Sequence, residues 1–269
     1  MFVLYKKICY TNSGDSMKAL ITGASSGIGR DISRYLYQKG YDLILVDKDL
    51  EGLKKIKEEL NTNIEIINID ISNSDNCKKL YEKTKDKNID FLINNAGFGV
   101  IGQFNKTDLD REISMINTNV IAYHILTKLF LTDFIKKDSG RILNVASSSA
   151  FSPGPLMAAY YSTKSYVYNL TLSIYGELKK MKSNVHISCL CPGPVNTNFN
   201  KVANCKFSVK ALSSDYVAKY AIDKSLKNKM LVIPGFTMKL GYYFGKVTPI
   251  KLKLNIIYNI QYGKVSGKK

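Results

Sequence analysis

The sequence predicts an α/β fold: a doubly wound parallel sheet with helices on both faces. Three observations predict it. Apolar runs of strand length alternate with helical patterns along almost the whole chain. A glycine-rich turn, T-G-A-S-S-G-I-G at residues 22–29, follows the first run and opens a helix. Polar residues suited to a ligand, Asp47, Asp70 and Asn94-Asn95, close later runs, and parallel sheets bind ligands at those strand ends. A length of 269 residues suits one large α/β domain.

The elements follow in order. K-A-L-I-T (18–22) is the first strand, and the helix after the glycine turn is expected to reach about Lys39. Y-D-L-I-L-V is the second strand and L-E-G-L-K-K-I-K-E-E-L an amphipathic helix. I-E-I-I-N-I precedes a helix to about Asp86, and I-D-F-L-I-N is the fourth strand. A long helical stretch runs from about Asp108 to Lys136, before strand R-I-L-N-V-A. The next helix contains Tyr160 and continues to about Met181, then come strands V-H-I-S-C-L and, near the end, M-L-V-I-P. Buried strands joined through helices imply right-handed crossovers and three layers, α/β/α, the Rossmann-type arrangement. Its expected extent is residues 17–235. Residues 1–16 read as a leader without fixed structure, with Met17 as the expected native start. Residues 236–269 form a tail of aromatics, aliphatics and lysines. Gly241, Gly245 and Pro249 are expected to break any long helix there, which favours packing on the domain or a subunit partner over membrane association.

Composition narrows the function. A 45% hydrophobic and 23% charged chain is ordinary for a globular protein, and no apolar run is long enough to span a bilayer. The start of the chain has no signal-peptide core or cleavage site. The five cysteines are odd in number and contain no C-x-x-C pair, so a reducing, cytoplasmic setting is expected. The formal charge of +17 could steer anionic ligands. The lysines are scattered, without an aromatic-interleaved stripe, so no nucleic-acid partner is expected. His124 and His186 read as a helix and a strand residue, with no metal site.

Several motifs carry chemistry. Gly23, Gly27 and Gly29 let the backbone turn tightly, and the following helix N-terminus offers free N–H groups to a pyrophosphate. The spacing is not G-x-G-x-x-G; the strand, turn and helix around it carry the reading. Asp47 closes the second strand near the offset of the acid that binds the adenosine ribose. A carboxylate there repels a 2′-phosphate, so NAD(H) is favoured, while the adjacent Lys48 keeps NADP(H) as the alternative. An Asp that merely caps the next helix is the competing reading. Tyr160 and Lys164 stand one helical turn apart. A phenol ordinarily titrates near pH 10 (about 10), and a neighbouring ammonium lowers that, which makes a general acid/base.

These pieces together resemble the short-chain dehydrogenase/reductase family in its single-domain branch, over residues 17 to about 235. The resemblance rests on T-G-A-S-S-G-I-G, N-N-A-G (94–97), N-V-A-S ending at Ser147, Tyr160-x-x-x-Lys164 and P-G-P-V-N-T (192–197). It implies a catalytic set of Asn119, Ser147, Tyr160 and Lys164, with Asn117 and Tyr161 as neighbouring rivals for two of those positions. It implies that Thr22, Gly23, Ser25, Gly27, Ile28 and Gly29 cradle the pyrophosphate. Asp70 and Ile71 would contact adenine, and Asn95, Ala96 and Gly97 would line the ribose. Pro192, Gly193, Val195 and Thr197 would hold the nicotinamide side, and Lys164 its ribose. The implied activity is NAD(P)(H)-dependent interconversion of a ketone or aldehyde and an alcohol, by a homodimer or homotetramer. Phe98, Val100, Phe104, Phe151, Leu156, Met157 and Phe199 suggest an apolar cleft for a steroid- or lipid-like substrate. A catalytically silent cofactor-binding or regulatory module on the same fold is the competing reading.

Overall fold

Seven parallel strands form the central sheet of the computed structural model, which describes residues 16–60, 64–197 and 211–266. The strands are β1 (Lys18–Thr22), β2 (Asp42–Asp47), β3 (Glu65–Asn68), β4 (Phe91–Asn94), β5 (Arg141–Val145), β6 (His186–Leu190) and, after a short ladder, β9 (Leu231–Val232). Their order is β3-β2-β1-β4-β5-β6-β9. The ladder pairs β7 (Val195–Asn196) with β8 (Leu212–Ser213). The chain winds outward from β1 to β3, then returns to place β4 on the other side of β1. That reversal opens a crevice beyond the carboxyl ends of β1 and β4.

Successive strand residues face opposite sides of a sheet, and the core divides accordingly. Ala19 and Ile21 of β1 pack with Leu43 and Leu45 under α1 (Gly27–Gln38), α2 (Leu50–Leu60) and α7 (Ser214–Leu226). Leu20, Ile44 and Leu92 pack on the other face, against α3 (Ser74–Thr84), α5 (Ala122–Lys136) and α6 (Ala158–Met181). The three layers expected from the alternation are therefore present. Strands β3 and β4 are shorter than their apolar runs, since Ile64 and Ile89 are buried before the ladder pairing begins.

Two stretches depart from expectation. The long helix of residues 108–136 is α4 (Leu109–Ile116) and α5 joined by a π-helical turn, Asn117–Ile121. In the tail, Gly241 and Gly245 do not interrupt α8 (Phe236–Val247). A glycine in a helix costs only about 1 kcal/mol relative to alanine, which packing of the inward face can offset. Pro249 does separate α8 from α9 (Ile250–Ser266), and Thr248 before it is extended at ψ 126. The proline ring crowds the preceding residue out of helical geometry. No described helix is long and apolar enough to cross a membrane.

Candidate active site

The glycine turn lies where β1 meets the crevice. Gly23 has φ +68 and Gly27 has φ +55, values that strain any residue with a Cβ. A Cβ on Gly23 would stand 2.7 Å from the Ala96 backbone, and one on Gly29 would stand 2.1 Å from the Gly23 carbonyl oxygen. Thr22 is fully buried, and its Oγ1 accepts the N–H groups of Asn95 (3.0 Å) and Ala96 (3.2 Å). The Asn95 amide Nδ2 donates to the carbonyls of Thr22 (3.0 Å) and Gly23 (3.1 Å). Thr22 and the Asn95 side chain thus clamp β1 to the β4 loop and fix the turn from behind. Ser26 caps α1 without a side-chain hydrogen bond, and no acid occupies the first turn. The N–H groups and positive dipole end there suit a pyrophosphate.

At the end of β2, Asp47 Oδ2 accepts the Ser25 N–H and Oδ1 the Asp49 N–H, both at 3.1 Å. A carboxylate has about four lone-pair sites, so acceptor capacity remains for two ribose hydroxyls. The cleft that continues from here has a volume of ≈ 660 Å³. Asp70, Ile71, Asn95, Ala96, Gly97, Pro192, Gly193, Val195 and Thr197 line it, with Gly23, Ser25, Gly27, Ile28 and Asp47. Thr22 and Gly29 stand behind the lining. The residues present fit a dinucleotide on the geometry of the turn alone.

The other end of the cleft holds Ser147, Tyr160 and Lys164. Helix α6 buries Tyr160, Thr163, Lys164, Val167, Thr171, Ile174 and Leu178, a stripe at helical spacing against the sheet. Lys164 is a charged member of that stripe, 4% exposed, and its Nζ donates to the Val145 carbonyl at 2.9 Å. Burial pulls its pKa down to about 8, against weaker opposing effects of Cys189 and Cys191. Those two thiols are buried and free. Ser147 begins a single 3₁₀ turn, and its Oγ accepts the Ser149 N–H at 3.1 Å. Its own hydroxyl proton remains available to donate.

Asn119 does not line the cleft; it is wholly buried in the π turn. Its Nδ2 donates to the Phe98 carbonyl (2.9 Å) and Thr163 Oγ1 (3.1 Å), while its Oδ1 accepts the Phe98 N–H (3.2 Å). Thr163 in turn donates to the Tyr160 carbonyl at 2.7 Å. Gly97 makes this possible, since a Cβ there would meet Asn119 Oδ1 at 2.8 Å and Lys164 Nζ at 3.3 Å. Asn117 is only half-buried, so the structure brings Asn119 rather than its rival to the turn of Tyr160. Tyr161 also lines the cleft, but its hydroxyl accepts from Gln261 Nε2 at 2.6 Å.

Only part of the expected apolar wall is here. Phe98 and Met157 line the cleft. Phe104 is 70% exposed, Val100 packs in a small cluster with Met115, Met157 and Tyr160, and Phe151 packs against Tyr168 and Tyr242. Leu156 holds φ +64 at the loop ahead of α6. Phe199 lies outside the described residues. Two contributors escaped the sequence reading. Ser149, whose buried Oγ has no hydrogen-bond partner, stands two residues beyond Ser147 in S-S-S. Gln261 arrives from the tail, with no local pattern to mark it. Among the described residues, no group of three or more His, Cys, Asp or Glu could hold a metal ion.

A family model described as short chain dehydrogenase matches residues 17–206. The chain belongs to the short-chain dehydrogenase family. This dehydrogenase is 30% identical over 181 residues to an uncharacterized oxidoreductase of Staphylococcus epidermidis, covering 66% of this chain and 78% of that one. It is 26% identical over 258 residues to human 17-beta-hydroxysteroid dehydrogenase 13, covering 93% and 86%. The solved structure of a short chain dehydrogenase/reductase from Burkholderia phymatum in complex with NAD shares the fold, with TM-score 0.79 at 21% identity over 90% of this chain and 96% of that one. As a family member the dehydrogenase is an oxidoreductase acting on CH–OH groups with NAD or NADP.

Proposed function

We propose that the protein interconverts a ketone or aldehyde and an alcohol on a hydrophobic small molecule, with NAD(H) preferred. The observation that carries the reading is the burial of the Lys164 side chain, one helical turn from Tyr160, in the same cleft as Ser147 and the glycine turn. The nicotinamide supplies or accepts the hydride.

The chain's own residues handle the proton and the geometry. Ser147 donates its free hydroxyl proton to the substrate oxygen and orients it. Tyr160 gives that oxygen a proton in reduction and takes it back in oxidation. The Lys164 ammonium favours the phenolate of Tyr160 by its charge. Asn119 acts one step back, as a positioning residue that ties the Phe98 loop to α6. Asp47 takes the adenosine ribose hydroxyls and repels a 2′-phosphate, which supports NAD(H); Lys48 and Arg111 line the same cleft and are the cations an NADP(H) reading would use.

Residues 17–235 carry this catalytic unit, with 236–269 as an accessory tail, in a cytoplasmic homodimer or homotetramer. The exposed stripe Leu109, Ile113 and Ile116 on α4, with Tyr166 on α6, supports assembly through these helices. Phe98 and Met157 in the cleft support an apolar substrate, as does the hydroxysteroid dehydrogenase among the relatives. The test is nicotinamide absorbance against a panel of steroid, acyl and aromatic ketones and their alcohols. Substrate-dependent turnover supports the reading; a panel without turnover, with cofactor bound, argues for a silent module.

A further inference from the structure

Helices α8 and α9 each carry an apolar stripe on the side away from the domain. On α8, Phe236, Leu240, Phe244 and Val247 recur at helical spacing and are 73%, 41%, 67% and 80% exposed. On α9, Leu252, Ile256 and Ile260 repeat every four residues and are all exposed. The opposite sides are already used. Met238 packs so closely on Gly193 that a Cβ there would lie 2.5 Å from its Sδ, and Tyr242 packs on Phe151 at 4.6 Å between ring centroids. Gln261 is 2% exposed and lines the cleft. The tail is thus docked by one face and bare on the other. Packing on the domain, expected from the sequence, accounts for the first face only.

The charge says what covers the second. Residues 236–269 contain seven lysines and no Asp or Glu. Lys246, exposed on α8, lies at the edge between the two faces, 4.5 Å from the Tyr242 ring centroid, and Lys251 is exposed on α9. We propose that the outer face of α8 and α9 docks on an anionic lipid surface. Apolar side chains enter the headgroup boundary while lysines meet the lipid phosphates. Exposed Tyr243 suits the same boundary, where a ring and its hydroxyl face different media. A second copy of the chain fits less well, since a two-fold contact through this face sets lysines against lysines with no acid in the tail to pair them. Gln261 on the inner side of α9 lines the cleft, which places a lipid-dissolved substrate beside its entrance. The docking itself does not depend on the catalytic reading.

The test is co-sedimentation of the full chain with phosphatidylcholine vesicles, with and without phosphatidylglycerol. Two paired variants accompany it, Phe244→Ser with Val247→Ser and Lys246→Gln with Lys251→Gln, each checked for an unchanged melting profile. The account expects pelleting with the phosphatidylglycerol vesicles and weak pelleting without it. It expects about a fivefold fall in partition for each lysine removed, and loss of pelleting in the Phe244 and Val247 pair. Three results overturn it: full chain left in the supernatant with anionic vesicles, variants that bind as well as the parent, or sedimentation velocity showing a dimer that the Phe244 and Val247 pair dissociates.

Discussion

The side chain of Lys164 lies in the buried stripe of α6 and ends 2.9 Å from the carbonyl oxygen of Val145. Its anchor is a neutral acceptor, which Tyr123 Oη also donates to at 3.2 Å. Among the described residues no carboxylate pairs with this ammonium, so desolvation prevails and its pKa falls to about 8. In the proposed mechanism the protonated form is the one that favours the Tyr160 phenolate. The ammonium is present below that pKa and lost above it. The expected kcat/KM profile therefore declines as pH rises through about 8, a limb that Lys164→Met removes together with most of the rate.

The same burial sets a stability signature. The folded pKa of about 8 lies below the ordinary lysine value of 10.5. Below pH 8 both states are protonated and the fold bears the whole penalty of holding the charge, about 3 kcal/mol. Between about 8 and 10.5 the unfolded chain binds more protons, so this group adds stability as pH rises. Lys164→Met is expected to unfold at higher denaturant than the parent near neutral pH, with the gap closing above pH 10 (about 10). Paired urea titrations across that range check it.

In the proposed reading, Asp47 sets the cofactor choice. Its carboxylate is held by the N–H groups of Ser25 and Asp49. Asp47→Ser keeps an acceptor and removes the charge that repels a 2′-phosphate. It is expected to raise the ratio of NADP to NAD specificity by at least about tenfold, on the order of 1.4 kcal/mol, in steady-state kinetics with each cofactor. An unchanged ratio assigns Asp47 to the turn alone.

Gly97 is where Asn119 and Lys164 converge. Gly97→Ala places a Cβ 2.8 Å from Asn119 Oδ1 and 3.3 Å from Lys164 Nζ. One of them must move. The expected result is a fall in kcat of about 10²-fold, the scale of a misplaced catalytic geometry, with a smaller change in cofactor affinity.

The fold was legible because its strands are short apolar runs with glycine or polar residues at their ends, and the sheet's two faces divide those runs residue by residue. Element ends were less legible, as Ile64 and Ile89 are buried without ladder partners. In the tail, Gly241 and Gly245 were weighed as helix breakers without the inward packing of Met238 and Tyr242. Within the site, strand-end residues such as Asp47 and Ser147 could be placed from register, and Tyr160 with Lys164 from helical spacing. The Thr22 hydroxyl and the Asn95 amide bond to backbone, because sequence gives a residue's neighbourhood and not which way its hydrogen bonds run. Gln261 reaches Tyr161 across 100 positions, and no local pattern marks such a contact.

The most direct measurement is substrate-dependent turnover by Tyr160→Phe, with NADH binding followed by fluorescence in the same preparation. The variant keeps the ring in its buried place and deletes only the hydroxyl. The account predicts turnover lowered by about 10²- to 10⁴-fold or more, with NADH affinity within about twofold of the parent, a change of roughly 0.4 kcal/mol or less. Turnover comparable to the parent's would mean that another group moves the proton.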